Sequence, residues 1–356
     1  MKMNLSLTER AGIKRETGSF REALVLYKKA VKKESSFESL SGLGGCLRLT
    51  GDFRGAISVY KKALKLNVSD APQQADCFMG LGMSLRALSD YRGAAEHFSA
   101  AGKIYKESAD WAGYAYFCWC LGGLLRLTGD LKGSHAHLLL SVKFYKLLKD
   151  ESGTAYALAG LGGILRMLGN FKESFNSYKR ASVIFKKHGD RFGFAYCNCG
   201  MGSASRMLLR AALSEKYYKI ALKNYRRIQD EVNISFVLWG YANSLMLSGR
   251  NGKAALLLKE SKTLFLRHKD KRGLVYSKLQ EGELLRLSGN IAAAVSSFKS
   301  AGGMAETLGM KFEAIHALTG LFACGKAKSP YKQYDKLGSK WYRVLKRNTP
   351  VFLDFP

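Results

Sequence analysis

The sequence predicts an all-α solenoid of about eight helix-turn-helix repeats. Three observations predict it. The phrase CLGGLLRLTGDLKGS, Cys120 to Ser134, returns forty residues later as GLGGILRMLGNFKES, Gly160 to Ser174. The turn residue of that phrase recurs at Gly18, Gly51, Ser89, Gly129, Gly169, Leu209, Gly249 and Gly289, at spacings of 33, 38 and then 40 five times. Proline, which breaks helices, occurs four times, and three of these lie at or after Pro330. A fixed period of this length marks units that bury their apolar faces only against their neighbours.

Each unit reads as two helices. The first ends at the turn residue, as in Tyr114 to Thr128, and the second follows it, as in Leu131 to Leu147. Five positions after the turn the residue is small: Ala23, Ala56, Ala94, Ser134, Ser174, Ser214, Ala254 and Ala294. Nine after it stands a large residue, among them Tyr27, Tyr60, Phe98, Tyr178, Tyr218 and Phe298, and twelve after it a small one returns. Small positions let two helices approach, and large ones fill the space between them. Asp110, Asp150, Asp190, Asp230 and Asp270 fall forty apart, just before each next first helix. There an aspartate caps the open backbone N–H groups of a helix start.

The stretch GLGGCLRLTGDFRGAISVYKKALKL, Gly42 to Leu66, carries Leu-Gly in a first helix, Gly-Asp-Phe at the turn, then Ala, Tyr and Ala in a second. This constellation resembles the tetratricopeptide repeat, over residues 3 to 325. The forty-residue form is similar to that of spindle-orientation adaptors and bacterial peptide-sensing regulators. The resemblance implies a right-handed superhelix whose concave groove binds peptides or proteins. The family's proline near the end of each unit is missing, and Leu209, Ala211 and Asn251 replace expected turn residues.

Charge points to the partner. Lys and Arg total 57 against 28 Asp and Glu, a net charge of +29, which favours anionic partners. Lysines such as those of YKKAVKK lie on second helices and read as a solvated face. The arginines are ordered differently. Arg15, Arg48, Arg86, Arg126, Arg166, Arg206 and Arg286 each stand three residues before a turn residue, and only Met246 breaks the column. Local pairing four residues on, with Asp52, Asp90 and Asp130, accounts for three of the seven. By the resemblance the column lies on the concave face. A second row, Tyr116, Tyr156, Tyr196, Phe236 and Tyr276, lies ten residues before the arginine positions. Ten residues place the rows about 80° apart and about 15 Å along a helix. Between them Gly12, Gly45, Gly123, Gly163 and Ser203 promise open space for a ligand. These residues predict a groove for an extended acidic protein or peptide segment, held by bidentate arginines. Single-stranded RNA stacked on the rings is the alternative, and a basic structural subunit of a larger assembly is a third.

No phosphate loop, zinc-protease motif or dinucleotide fingerprint is present in a fitting context. The expectation is no catalysis, no cofactor and no metal. The seven cysteines include Cys118/Cys120 and Cys197/Cys199, whose spacing turns the thiols roughly 200° apart on a helix. No apolar run reaches the length of a membrane span, and the first residues show no signal-peptide core. A cytoplasmic location is expected. Two regions are expected: an array over residues 1–325 and a basic tail over 326–356. In the tail, Tyr334 to Arg347 reads as one capping or docking helix with Tyr334, Leu337, Trp341 and Leu345 on one side.

Overall fold

A computed structural model describes residues 5–66 and 70–339. Those residues form helices and the turns between them, without a strand among them. The helices follow in pairs. They are α1 (Leu7–Glu16) with α2 (Phe20–Lys33), α3 (Phe37–Leu49) with α4 (Phe53–Ala63), and α5 (Ala71–Ala87) with α6 (Tyr91–Glu107). Then come α7 (Trp111–Thr128) with α8 (Leu131–Leu147), α9 (Glu151–Met167) with α10 (Phe171–Lys187), and α11 (Arg191–Met207) with α12 (Ala211–Arg227). The last pairs are α13 (Glu231–Leu247) with α14 (Asn251–Arg267) and α15 (Lys271–Leu287) with α16 (Ile291–Thr307). A further first helix, α17 (Lys311–Ala323), is followed by the short α18 (Tyr331–Lys336). The chain forms two compact units, Met1–Leu124 and Leu125–Pro356.

The turns explain the period. Every turn residue of the repeat has a positive φ, from Gly18 at 79° to Gly289 at 83°, including the non-glycines Ser89 at 65° and Leu209 at 58°. The left-handed residue lets the following amide reach back into the helix just ended. The Asp130 N–H donates to the Leu125 carbonyl (2.9 Å) and the Asn170 N–H to that of Leu165 (2.8 Å). Carbonyls that a helix end leaves open are thereby satisfied. The next helix then starts on a cap. Asp52, Asp90 and Asp130 accept the N–H of Gly55, Gly93 and Gly133 at 2.9–3.0 Å. The forty-residue aspartates behave the same way, as where Asp190 accepts from Gly193 at 2.8 Å.

Packing between pairs rests on glycine and aromatic partners. A Cβ on Gly80 would stand 2.3 Å from the Tyr60 ring, and one on Gly200 would stand 2.4 Å from the Tyr178 ring. The second-helix ring of one repeat therefore sinks into the first helix of the next. Tyr60, Phe98, Tyr178, Tyr218 and Phe298 are buried this way or nearly so. Burying each such side chain contributes about 1.5–3 kcal/mol.

The tail differs from the helix expected over 334–347. Helix α18 begins at Tyr331, directly after Pro330, and ends at Lys336. Gly338, at φ 89°, turns the chain away. Trp341 and Leu345 lie outside the described residues. Tyr334 is buried against Phe312 and His316, and its hydroxyl lies 2.8 Å from Thr319 Oγ1. Helix α18 thus covers α17.

Candidate functional site

The arginine column sits in the last turn of each first helix, where the side chain reaches toward the next repeat. A Cβ on Gly45 would lie 3.6 Å from Arg15 Nη1, one on Gly123 would lie 3.5 Å from Arg86 Nη1, and one on Gly163 would lie 3.1 Å from Arg126 Nη1. The small row expected to leave room for a ligand is therefore covered by the arginine of the preceding repeat. At Gly163 the guanidinium leaves little room for a Cβ, whereas at Gly45 and Gly123 a Cβ would make ordinary contact with it. The column is graded in exposure. Arg15 is exposed, Arg48, Arg86, Arg126 and Arg286 are half-buried, and Arg166 and Arg206 are 3% and 0% exposed. Asp52, Asp90 and Asp130 serve as caps.

In the first unit Arg15 and Arg48 line an open groove of about 500 Å³ with Tyr27, Tyr60, Asp76 and Tyr116. Burial pushes the Tyr60 hydroxyl up, and the Arg48 guanidinium beside it acts against that. Tyr116 donates to Met83 Sδ (2.9 Å) and stacks on Trp119 with centroids 6.0 Å apart. Asp76 accepts from the Tyr105 hydroxyl. Burial raises its carboxyl above the ordinary range, and burial pushes the neighbouring Cys77 thiol up to about 12.

In the second unit Arg126 and Arg166 line a smaller cavity, about 190 Å³, with Tyr196, Phe236, Arg272 and Tyr276. Arg206 Cζ lies 5.8 Å from the ring centroid of Trp239, which faces the same cavity. Arg272 was not marked by the sequence. Its repeat column reads Ala112, Ser152, Phe192 and Val232 in earlier units, so no periodic signal exists. Its Nη2 donates to the Tyr276 hydroxyl (3.2 Å), which donates to Glu313 Oε1 (3.2 Å). Burial pushes the Glu313 carboxyl up, and Arg272 and Arg126 act against it.

The aromatic row is largely engaged in packing. The Tyr156 hydroxyl donates to the capping carboxylate of Asp190 (2.7 Å), and its ring meets Phe185 edge-on at 4.8 Å. Tyr196 meets Tyr178 at 6.2 Å, and Phe236 meets Phe265 at 4.8 Å and Tyr276 at 6.0 Å. Arg286 is held by Glu283 through two bonds of 2.7 Å. The structure thus brings Arg15, Arg48 and Tyr116 to one site and Arg126, Arg166, Tyr196, Phe236 and Tyr276 to another. Arg86 lies against Gly123, Arg206 over Trp239, Arg286 on Glu283, and Tyr156 on Asp190 and Phe185.

Among the described residues no group of three or more His, Cys, Asp or Glu is placed to hold a metal, and no helix is long and apolar enough to cross a membrane. All seven cysteines are free thiols, and Cys46, Cys77, Cys118, Cys120 and Cys197 are buried.

Residues 9–75 and 50–109 match the model of the tetratricopeptide repeat family. No curated protein matches the sequence. Among solved structures, the apo form of RapI is similar at a TM-score of 0.65 and 14% identity, over 76% of this chain and 99% of that one. A Rap protein complexed with competence and sporulation factor gives 0.64 and 12%, over 92% and 98%. Aspartyl phosphate phosphatase F from Bacillus subtilis gives 0.64 and 13%, over 82% and 76%. At these identities the likeness is one of fold.

Proposed function

We propose that this chain, whose residues 9–109 match the tetratricopeptide repeat model, is a non-catalytic adaptor whose arginine ladder holds an extended acidic segment of another protein. The observation that carries the reading is the ladder in the open groove, where Arg15 and Arg48 stand one repeat apart beside Tyr27, Tyr60 and Tyr116. A guanidinium presents a rigid fork of donors that suits a carboxylate. Neighbouring helices lie roughly 10 Å apart, and an extended chain rises about 3.3 Å per residue. A ligand with an acidic residue at every third position therefore matches the ladder. The charge of +29 supplies long-range attraction for it. The Rap protein of this fold that is complexed with competence and sporulation factor supports a ligand-holding use of the array.

Single-stranded RNA is the weaker candidate. Stacking needs free ring faces, whereas Tyr116 lies against Trp119, and Tyr156 and Phe236 are wedged against Phe185 and Phe265.

The test is fluorescence anisotropy with a labelled peptide carrying glutamate at every third position. A charge-assisted hydrogen bond contributes about 1.5–3 kcal/mol. Replacing both groove arginines, Arg15→Glu with Arg48→Glu, should weaken binding at least tenfold. Unchanged binding sinks the reading. Tighter binding of a poly-uridine strand, with a steep salt dependence, replaces it with the RNA alternative.

A further inference from the structure

The second unit already contains the kind of group that the ladder is read to bind. Glu313 on α17, 6% exposed, accepts from the Tyr276 hydroxyl, which accepts from Arg272, and Tyr276, Arg272 and Arg126 line one cavity. Arg126 belongs to the first helix of that unit and Arg272 to its fifth first helix. The Glu313 carboxylate is thus tied to Arg272 through the Tyr276 hydroxyl, and the positive charges of Arg272 and Arg126 both favour its ionised form. The segment after Glu313 is fastened over the same region. Ser339 Oγ donates to the Met167 carbonyl (2.6 Å) at the end of α9. A Cβ on Gly338 would lie 3.6 Å from the side chains of Leu168 and Lys132, and one on Gly129 would lie 3.6 Å from those of Leu337 and Lys311. The segment is therefore laid along the turns that follow α7 and α9.

We infer that α17 and α18 form a built-in competitor, in which Glu313 occupies the carboxylate position of an acidic partner in the second unit and the 331–339 strap keeps it there. The inference rests on the acidic-segment reading and assigns its regulation: the first unit's groove is open among the described residues, and the second unit's Arg126 and Arg166 become available when the strap lifts. Two physical points support a displaceable strap. A six-residue helix is not stable alone and exists only by docking. Short terminal elements lie at the low end of local stability. Burying Glu313 also costs desolvation that an apolar side chain would avoid, so packing alone gives no reason for a carboxylate there.

The test uses the full-length chain and the same glutamate-repeat peptide. Glu313→Gln should tighten binding at least fivefold, and adding Arg126→Glu should remove that gain. In wild type, saturating peptide should speed amide hydrogen exchange over 331–339. If Glu313→Gln destabilises the fold, Leu337→Asp serves instead, because it loosens the strap at Gly129 while leaving Glu313 in place; the same gain is expected. Wild-type binding that depends on Arg15 and Arg48, with no gain in either variant and unchanged exchange at 331–339, overturns the competitor and leaves the adaptor reading standing. Binding to neither wild type nor variant overturns both.

Discussion

The two units place one sequence column in opposite settings. In the first, Arg15 is exposed and Arg48 half-buried along a groove of about 500 Å³. In the second, Arg166 and Arg206 are buried, Arg166 lines a cavity of about 190 Å³, and Tyr276 on that cavity donates to Glu313 of α17. The backbone motif, the turn geometry and the glycine-to-ring packing are alike in both. The difference comes from what else folds against the column. A residue repeated at a fixed register has a fixed position in its helix, and its role is set by later parts of the chain.

The sharpest way to break this comparison is to truncate the column in each unit. Arg206→Ala should cost about 2–4 kcal/mol, since it empties a buried site and removes a guanidinium from Trp239. Arg15→Ala should stay within about 0.5 kcal/mol, as an exposed substitution does. Urea midpoints decide it, and equal costs would show that the two settings do not differ. Next in size, Gly80→Ala and Gly200→Ala should each cost about 1–3 kcal/mol by overpacking against Tyr60 and Tyr178. Similar losses would show that inter-repeat packing is shared while the site is not. The turn series runs the other way. Leu209→Gly should stabilise by about 1 kcal/mol by relieving a φ of 58°, and Gly129→Leu should destabilise, both read from thermal melts.

The smallest effect is electrostatic. Lys187 and His188 hold the exposed Glu151 carboxyl below its ordinary value. A carboxyl with a lowered folded-state value stabilises the fold at pH above its unfolded value. That contribution fades as pH falls through the folded one. Glu151→Gln should therefore flatten the loss of urea midpoint below about pH 4.5. An unchanged slope would show that the pair is inert.

Most of the architecture was legible in the sequence because periodicity reports local geometry. The turn residues all adopt the left-handed conformation, and the forty-residue aspartates all cap helices. Within the described residues the tail helix starts earlier and stops sooner than its apolar spacing suggests, and residues 340–347 of the expected helix lie outside them. A glycine at φ 89° ends a helix whatever the pattern beyond it. The Gly45, Gly123 and Gly163 row looked vacant because sequence shows that a side chain is missing without showing whose side chain takes its place. The rings of Tyr156 and Phe236 looked like ligand platforms for the same reason. Arg272 and Glu313 were invisible, since neither belongs to a repeating column and their meeting depends on elements far apart in the chain. The Ser339–Met167 bond was equally invisible, since it joins residues 172 apart along the chain.

The bond from Ser339 to Met167 has a consequence for descent as well as for binding. A stack of like units ordinarily changes length by copying or dropping one, because each unit answers only to its neighbours. Between α9 and the strap that freedom is gone. One extra copy would carry Ser339 roughly 10 Å past its acceptor, and one fewer would leave it short by the same amount. The tally of repeats in the second unit is therefore locked by its own ending, as a belt is by its buckle hole, while the first unit remains free to lengthen.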